Sequence, residues 1–201
     1  QGLYDYNKGS ITIGGVELRD IDKRYLRRQV GIVLQEPFLF SKTIKDNIAL
    51  AKLDASDKDI YKAASIAAVH DVIKEFEQGY DTTVGERGVT LSGGQKQRVA
   101  MARTLILDSS ILIFDDSLSA VDTETDNAIR QALSEHSKGV TTFIISHRIT
   151  TISQADIILV MEDGRIVQSG THEELLSQEG MYRRIWSIQN ALEEELEKNL
   201  A

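Results

Sequence analysis

The stretch Ile111-Leu112-Ile113-Phe114-Asp115-Asp116 decides how the rest of this chain is read. Four consecutive apolar residues make a short buried strand, and the acids that close it fall at the C-terminal edge of a sheet, where ligands bind in open α/β folds. The pattern recurs on either side. Val30 to Leu34 is an apolar run ending at Gln35-Glu36-Pro37, and Val140 to Ser146 ends at His147. Taken singly, each end reads as an ordinary polar strand terminus. Taken together, Gln35, Asp115, Asp116 and His147 each follow an apolar strand and converge on one edge of one sheet.

Outward from this core, Ser10 to Leu18 alternates polar and apolar residues around Gly14-Gly15, a hairpin signal. Asp22 to Arg28 is helix-like. From Ser41 to about Leu107 the pattern is helical: Ser56-x-x-Asp59 reads as a capping box, Ile60, Ala63, Ala64 and Ala67 follow at helical spacing, and Val72, Ile73 and Phe76 continue it. A polar, glycine-punctuated loop from Gly79 to Thr90 precedes a helix with Val99, Ala102 and Ile106 on one face. Asp122 to Ser137 is a further helix. Ile157–Glu162 and Arg165–Gly170 form a hairpin over Asp163-Gly164, Thr171-x-x-Glu174 is a second capping box, and Met181, Ile185, Ile188, Leu192 and Leu196 stripe a last helix. Alternating strands and helices imply a largely parallel sheet with helices on its faces, carrying an all-helical insert.

Composition removes several classes of function. The 201 residues include 31 acidic and 23 basic side chains, for a net charge of −8. That balance argues against sequence-independent nucleic-acid binding, which needs clustered Lys and Arg. The absence of Cys excludes disulfide scaffolds, thiolate zinc sites and thiol catalysis. Apolar runs such as 157–161 fall far short of the roughly 18 residues a membrane-spanning helix requires, and no segment of the given sequence has the pattern of a signal peptide.

The other chemical signal is Leu91-Ser92-Gly93-Gly94-Gln95, opening a helix. A Ser hydroxyl and successive Gly N–H groups at a helix N-terminus make an anion site; the same residues also read as an ordinary Ser cap after a glycine turn. Asp115 offers the oxygen a hard cation such as Mg²⁺ prefers. His147 is placed to touch a phosphate oxygen or hold an attacking water.

With these motifs quoted, the chain resembles the nucleotide-binding domain of an ATP-binding-cassette (ABC) transporter, most closely the exporter type. Leu91 to Gln95, continued by Lys96-Gln97-Arg98, is similar to the family's signature motif. Ile111 to Asp115 is similar to the Walker B strand, Ser119-Ala120-Val121-Asp122 to the D-loop, Gln35 to the Q-loop and His147 to the switch histidine. Thr83-Val84-Gly85-Glu86-Arg87-Gly88 looks like the exporter X-loop, which lies close to the membrane domain, and Phe38-Leu39-Phe40-Ser41 has the same exporter character. The resemblance implies a P-loop NTPase-type, mostly parallel sheet with helices on both faces. It implies ATPase core segments at 1–40 and about 108–201, and a helical subdomain at about 41–107. It further implies ATP and Mg²⁺ as cofactors. Asp115 and Gln35 would meet the metal; Asp116, His147 and Gln35 would form the catalytic set. Ser92, Gly93, Gly94 and Gln95 would bind nucleotide, with Asp122 communicating across a dimer.

Two departures qualify this. A P-loop needs Gly, four residues, then Gly-Lys-Ser/Thr. The pairs Gly9/Gly14 and Gly88/Gly93 are followed by Gly15-Val16 and Gly94-Gln95, with no Lys. The family's P-loop precedes the segment resembling Leu3–Ile13, so the chain reads as a partial domain, cut upstream, that binds ATP poorly through its own half-site. Second, Asp116 stands where the family has its catalytic Glu. Its carboxylate is one methylene shorter, and a misplacement of about 1 Å costs on the order of a hundredfold in rate; the alternative is that Asp116 acts as a slower base.

The expected function is therefore ATP hydrolysis coupled to export, at a head-to-tail pair of such domains on the cytoplasmic face of the cell membrane. An intact signature with a weakened Walker B fits a heterodimer, in which this subunit completes its partner's competent site, better than a homodimer. The expected partners are that second domain and a transmembrane domain, with no nucleic acid. The alternatives are a non-transport ABC ATPase and a non-catalytic nucleotide-binding or regulatory module.

Overall fold

Two glycines with left-handed backbone, Gly14 (φ 57°) and Gly15 (φ 80°), turn strand β1 (Thr12–Ile13) onto β2 (Val16–Glu17), with Ile13 opposite Val16. Two successive positive φ angles are what a tight hairpin of native twist requires. In this computed structural model residues 2, 4–85, 90–118, 121–136 and 139–200 are described. They divide by packing into two units, Gln1–Ile145 and Ser146–Ala201.

In the first unit the Asp22 carboxylate accepts from the backbone N–H groups of Arg24 and Tyr25 and starts α1 (Lys23–Gln29), which runs directly into β3 (Val30–Val33). Four helices follow: α2 (Ile44–Ala49), α3 (Asp57–Ile66), α4 (His70–Lys74) and α5 (Gly93–Leu105), with a 3₁₀ turn at Gly79–Asp81. Then come β4 (Ile111–Asp115), α6 (Thr123–His136) and β5 (Thr141–Ile145). Strands β3, β4 and β5 form one parallel sheet in that order, with Val33, Phe114 and Ile144 side by side.

The expected capping box at Ser56 and Asp59 is present and begins α3. The helical run expected to continue through Phe76 is instead broken. Ala68 takes a left-handed φ of 52°, and the Val69 N–H reaches back to the Ala64 carbonyl at 2.9 Å, closing α3 and burying Val69. Alanine carries no sequence signal for that conformation, which is why the break was not legible.

One face of the sheet carries the main core. Val33, Leu112 and Phe114 pack in a single core with Val99, Met101 and Ala102 of α5, Ile44 and Ile48 of α2, and Ile60 and Ala64 of α3. Helix and sheet pack closely at Gly31, where a Cβ would lie 2.8 Å from Thr104 Cγ2 and 2.9 Å from Leu112 Cδ2. The side chains of the edge strand β5 that alternate with this face, Phe143 and Ile145, are 52% and 53% exposed.

The second unit contains α7 (Ile149–Ile152), β6 (Ile158–Glu162), β7 (Arg165–Gly170), α8 (His172–Ser177) and α9 (Met181–Leu200). Asp163 (φ 49°) and Gly164 (φ 75°) make the expected hairpin turn between β6 and β7, which pair antiparallel as a separate sheet. The Thr171–Glu174 capping box starts α8. Ile149, Ile158, Leu175 and Tyr182 form its small core.

The contact at Gly31 gives a direct test. Gly31→Ala should overpack the α5–β3 junction and lower stability by about 1–3 kcal/mol, read as a lower urea midpoint with an unchanged m-value.

Candidate functional site

The parallel register decides where the polar residues go. Gln35 lies two residues beyond β3 and Asp115 closes β4, so both stand at the same edge of the sheet. The Asp116 N–H donates to the Ile145 carbonyl at 2.8 Å, extending the β4–β5 ladder by one step. Asp116 itself turns the chain with a φ of 43°, a left-handed conformation that Asp tolerates better than most residues. Its Oδ2 accepts from Gln35 Nε2 at 3.2 Å. The structure thus joins two of the expected site residues, 81 positions apart in sequence, with Asp115 adjacent.

The signature segment is built as a helix start. Ser92 Oγ accepts from the Gln95 N–H at 3.2 Å, and Gln95 Oε1 accepts from the Ser92 N–H at 2.9 Å, a full capping box at the head of α5. Of the two sequence readings the structure shows the cap; the Ser92 hydroxyl proton is not consumed by it. A Cβ at Gly93 would touch nothing within 4 Å, so the chain's own packing does not demand glycine there.

Asp122 caps α6, with Oδ1 accepting from the Thr125 N–H at 2.9 Å and Oδ2 from the Thr125 hydroxyl at 2.8 Å. These bonds, with a smaller contribution from the Arg98 charge, hold its carboxyl below the usual aspartate value of 3.8. Arg98 belongs to α5, where its Nη1 donates to the Ala68 carbonyl at 2.6 Å. Ser119 and Ala120 of the D-loop and 86–88 of the X-loop lie outside the described residues.

His147 belongs to the second unit and is exposed. Its carbonyl accepts from Gln189 Nε2 at 2.7 Å, while Gln189 Oε1 accepts from the Ile149 N–H at 3.0 Å. Gln189 of α9 thus clips the main chain on both sides of Arg148. Sequence reasoning missed it; its only signal is helical spacing from Tyr182 and Trp186.

Two more residues escaped the sequence reading. Asn47 is completely buried in α2: Oδ1 accepts from the Phe40 N–H at 2.9 Å and from Arg103 Nη2 at 3.0 Å, and Nδ2 donates to the carbonyls of Phe40 and Thr43, both at 3.0 Å. Arg103 adds bonds from Nε to the Asn47 carbonyl (2.7 Å) and from Nη1 to the Phe38 carbonyl (2.9 Å). This clamp fixes the segment after Gln35 and presents Phe38 and Phe40, edge to face, at 65% and 41% exposure. The Ile44 N–H to the Thr82 carbonyl (3.0 Å) and the Val84 N–H to the Lys42 carbonyl (2.9 Å) tie the same segment to the start of the X-loop-like stretch.

The donor set fits a hard cation. Asp115 and Gln35 offer carboxylate and amide oxygens at one edge. Among the described residues no cluster of three or more His, Asp or Glu could cage an ion alone. That suits Mg²⁺, which keeps waters and takes phosphate oxygens beside one or two carboxylates.

The arrangement is that of an ABC exporter nucleotide-binding domain. A solved structure described as a bacterial Atm1-family ABC exporter with ATP bound superposes with a TM-score of 0.88 at 43% identity, over 92% of this chain and 32% of that one. The family model described as ABC transporter matches residues 1–119, and the chain belongs to the ABC transporter family. YgaD of Bacillus subtilis, whose name makes it a candidate multidrug export ATP-binding/permease protein, is 48% identical over 188 residues, 94% of this chain and 32% of that protein. A protein of the same description from Staphylococcus aureus matches to the same extent. The chain spans about a third of the length of these relatives. Among the described residues no helix is long and apolar enough to cross a membrane.

Two measurements test this construction. Asn47→Ala should strand the half-buried Arg103 guanidinium and cost on the order of 2–4 kcal/mol in chemical unfolding. Asp122 has a lower carboxyl pKa folded than unfolded, so its stabilisation is present above 3.8 and is lost as pH falls through the folded value. Asp122→Asn keeps a capping side chain but should lose that share of the acid destabilisation in an unfolding series run from neutral to acid pH.

Proposed function

We propose that this domain binds and hydrolyses ATP with Mg²⁺ as one half of a head-to-tail pair, and that the pair drives substrate export through a transmembrane domain at the cytoplasmic face of the membrane. The observation that carries this reading is the Gln35–Asp116 hydrogen bond beside Asp115, at the edge of a sheet whose fold is that of ABC exporters. Bound Mg²⁺ supplies charge neutralisation between the phosphates. Asp115 and the Gln35 amide oxygen would hold it; Asp116 stands in the place of the base as a compromised one, and His147 would orient the attacking water and the terminal phosphate.

Ser92, Gly93, Gly94 and Gln95 serve the other subunit's nucleotide. The capped, positive end of α5 offers N–H donors and the Ser92 hydroxyl to its terminal phosphate. Asp122 communicates across the pair. Segments 1–40 and about 108–201 act as ATPase core and about 41–107 as the helical subdomain. The exposed Phe38 and Phe40, bound to the X-loop-like segment, form the surface that meets the membrane domain.

The short Asp116 supports a subunit whose own site is degenerate and whose signature completes a competent site in a different partner. Its left-handed backbone is one that a longer Glu would occupy at greater cost. With no Gly-Lys-Ser/Thr in their sequence, the 201 residues hydrolyse little ATP alone.

The test is Mg-ATPase of the full-length protein, alone and with its copurifying partner. Hydrolysis should require the partner, Asp116→Asn should change it little, and Ser92→Arg should abolish it. Full activity of the protein alone, lost in Asp116→Asn, overturns the degenerate-site reading in favour of a homodimer. Absence of hydrolysis in every assembly would favour a non-catalytic module.

A further inference from the structure

Gln97 lies two residues beyond Gln95 on α5 and is fully buried. Its Nε2 donates to the Leu34 carbonyl at 2.8 Å. A carbonyl accepts only from the nitrogen end of an amide, so the partner fixes the orientation of the side chain. No partner among the described residues reaches the opposite end, Oε1. Seven positions along α5, Thr104 Oγ1 donates to the Ile32 carbonyl at 3.2 Å. Ile32 lies on β3 and Leu34 is the first residue beyond it; the two carbonyls, two residues apart, both meet α5, whose residues seven apart share a face. The helix is therefore stitched to the strand along a single seam, with Gly31 allowing the close approach.

The two ends of this seam are what matter. Leu34 is the residue before Gln35, and Gln97 is one turn into the helix that Ser92 caps. Packing alone would favour Leu or Met at so buried a position, because an amide with one end unpaired is an unfavourable core residue. Departures of that kind belong to functional positions more often than to scaffold.

We propose that Gln97 is a positioning residue that ties the signature helix to the strand end carrying Gln35, so that the two segments move as one body. This rests on the function proposed above and deepens it: a displacement of Gln35 by the nucleotide of one half-site reaches Ser92 and Gly94, which serve the other. The Leu34 carbonyl receives the pull, and the rigid first turns of α5 carry it.

The test uses the full-length protein in its partner assembly, with Gln97→Met, Gln35→Ala and the double variant; Gln97→Leu serves as a second apolar replacement if Met does not fold. Gln97→Met should leave the thermal midpoint equal or higher, since a buried orphan oxygen is removed. It should lower kcat for ATP roughly five- to tenfold with little change in KM, and the double variant should be no slower than Gln35→Ala. Without nucleotide, hydrogen exchange should quicken together at 33–36 and in the first turn of α5. Multiplying kinetic effects, an unchanged kcat, a fall in midpoint that parallels the loss of rate, or exchange that quickens in one segment only would each overturn the proposal. An assembly that does not hydrolyse ATP refutes the proposed function, and the exchange arm then still decides the role of Gln97.

Discussion

Three short strands running the same way fix the position of everything else in the first unit. A parallel sheet has all its C-terminal ends on one side, so the segments leaving β3 and β4 must emerge together. That alone brings Gln35 within hydrogen-bond reach of Asp116 across 81 residues. Helix α5 is then pressed against β3 closely enough to need Gly31 in the strand, and the helical layer of α2 and α3 closes the core from the other side of α5. The signature segment, the Phe38–Phe40 presentation and the Asp122 cap all hang from that frame.

The chemistry at the edge follows from backbone as much as from side chains. Asp116 leaves the strand through a left-handed turn while its N–H still bonds to Ile145. The carboxylate is therefore held at a fixed distance from the sheet and gripped by an amide whose other end is an oxygen suited to a cation. A single glutamine thus holds Asp116 with its nitrogen and leaves its oxygen for other partners. At Ser92, capping uses the lone pairs of the hydroxyl and leaves its proton, the part that an anion would accept.

Much of this was legible in the sequence because the relevant signals are local. Apolar runs closed by Gln35, Asp115 and His147 gave the strands, Gly14-Gly15 and Asp163-Gly164 the hairpins, and Ser56 and Thr171 the helix starts. The residues that escaped are those whose role depends on distant partners. Asn47 and Arg103 look like stray polar positions on helices until the chain folds them onto each other. Gln97 and Gln189 bond to backbone carbonyls, and a carbonyl leaves no trace in sequence. The break at Ala68 was hidden for the same reason, since long-range burial of Val69, not residue type, stabilises it.

The edge strand β5 has a consequence of a practical, colloidal kind. Phe143 and Ile145 stand more than half exposed on a strand that, among the described residues, pairs only with β4, whereas strands of parallel sheets are ordinarily covered on both faces. Such a margin is a template for intermolecular pairing. Handled as a separate molecule, these 201 residues carry a seam whose pairing with other copies is favoured as protein concentration rises.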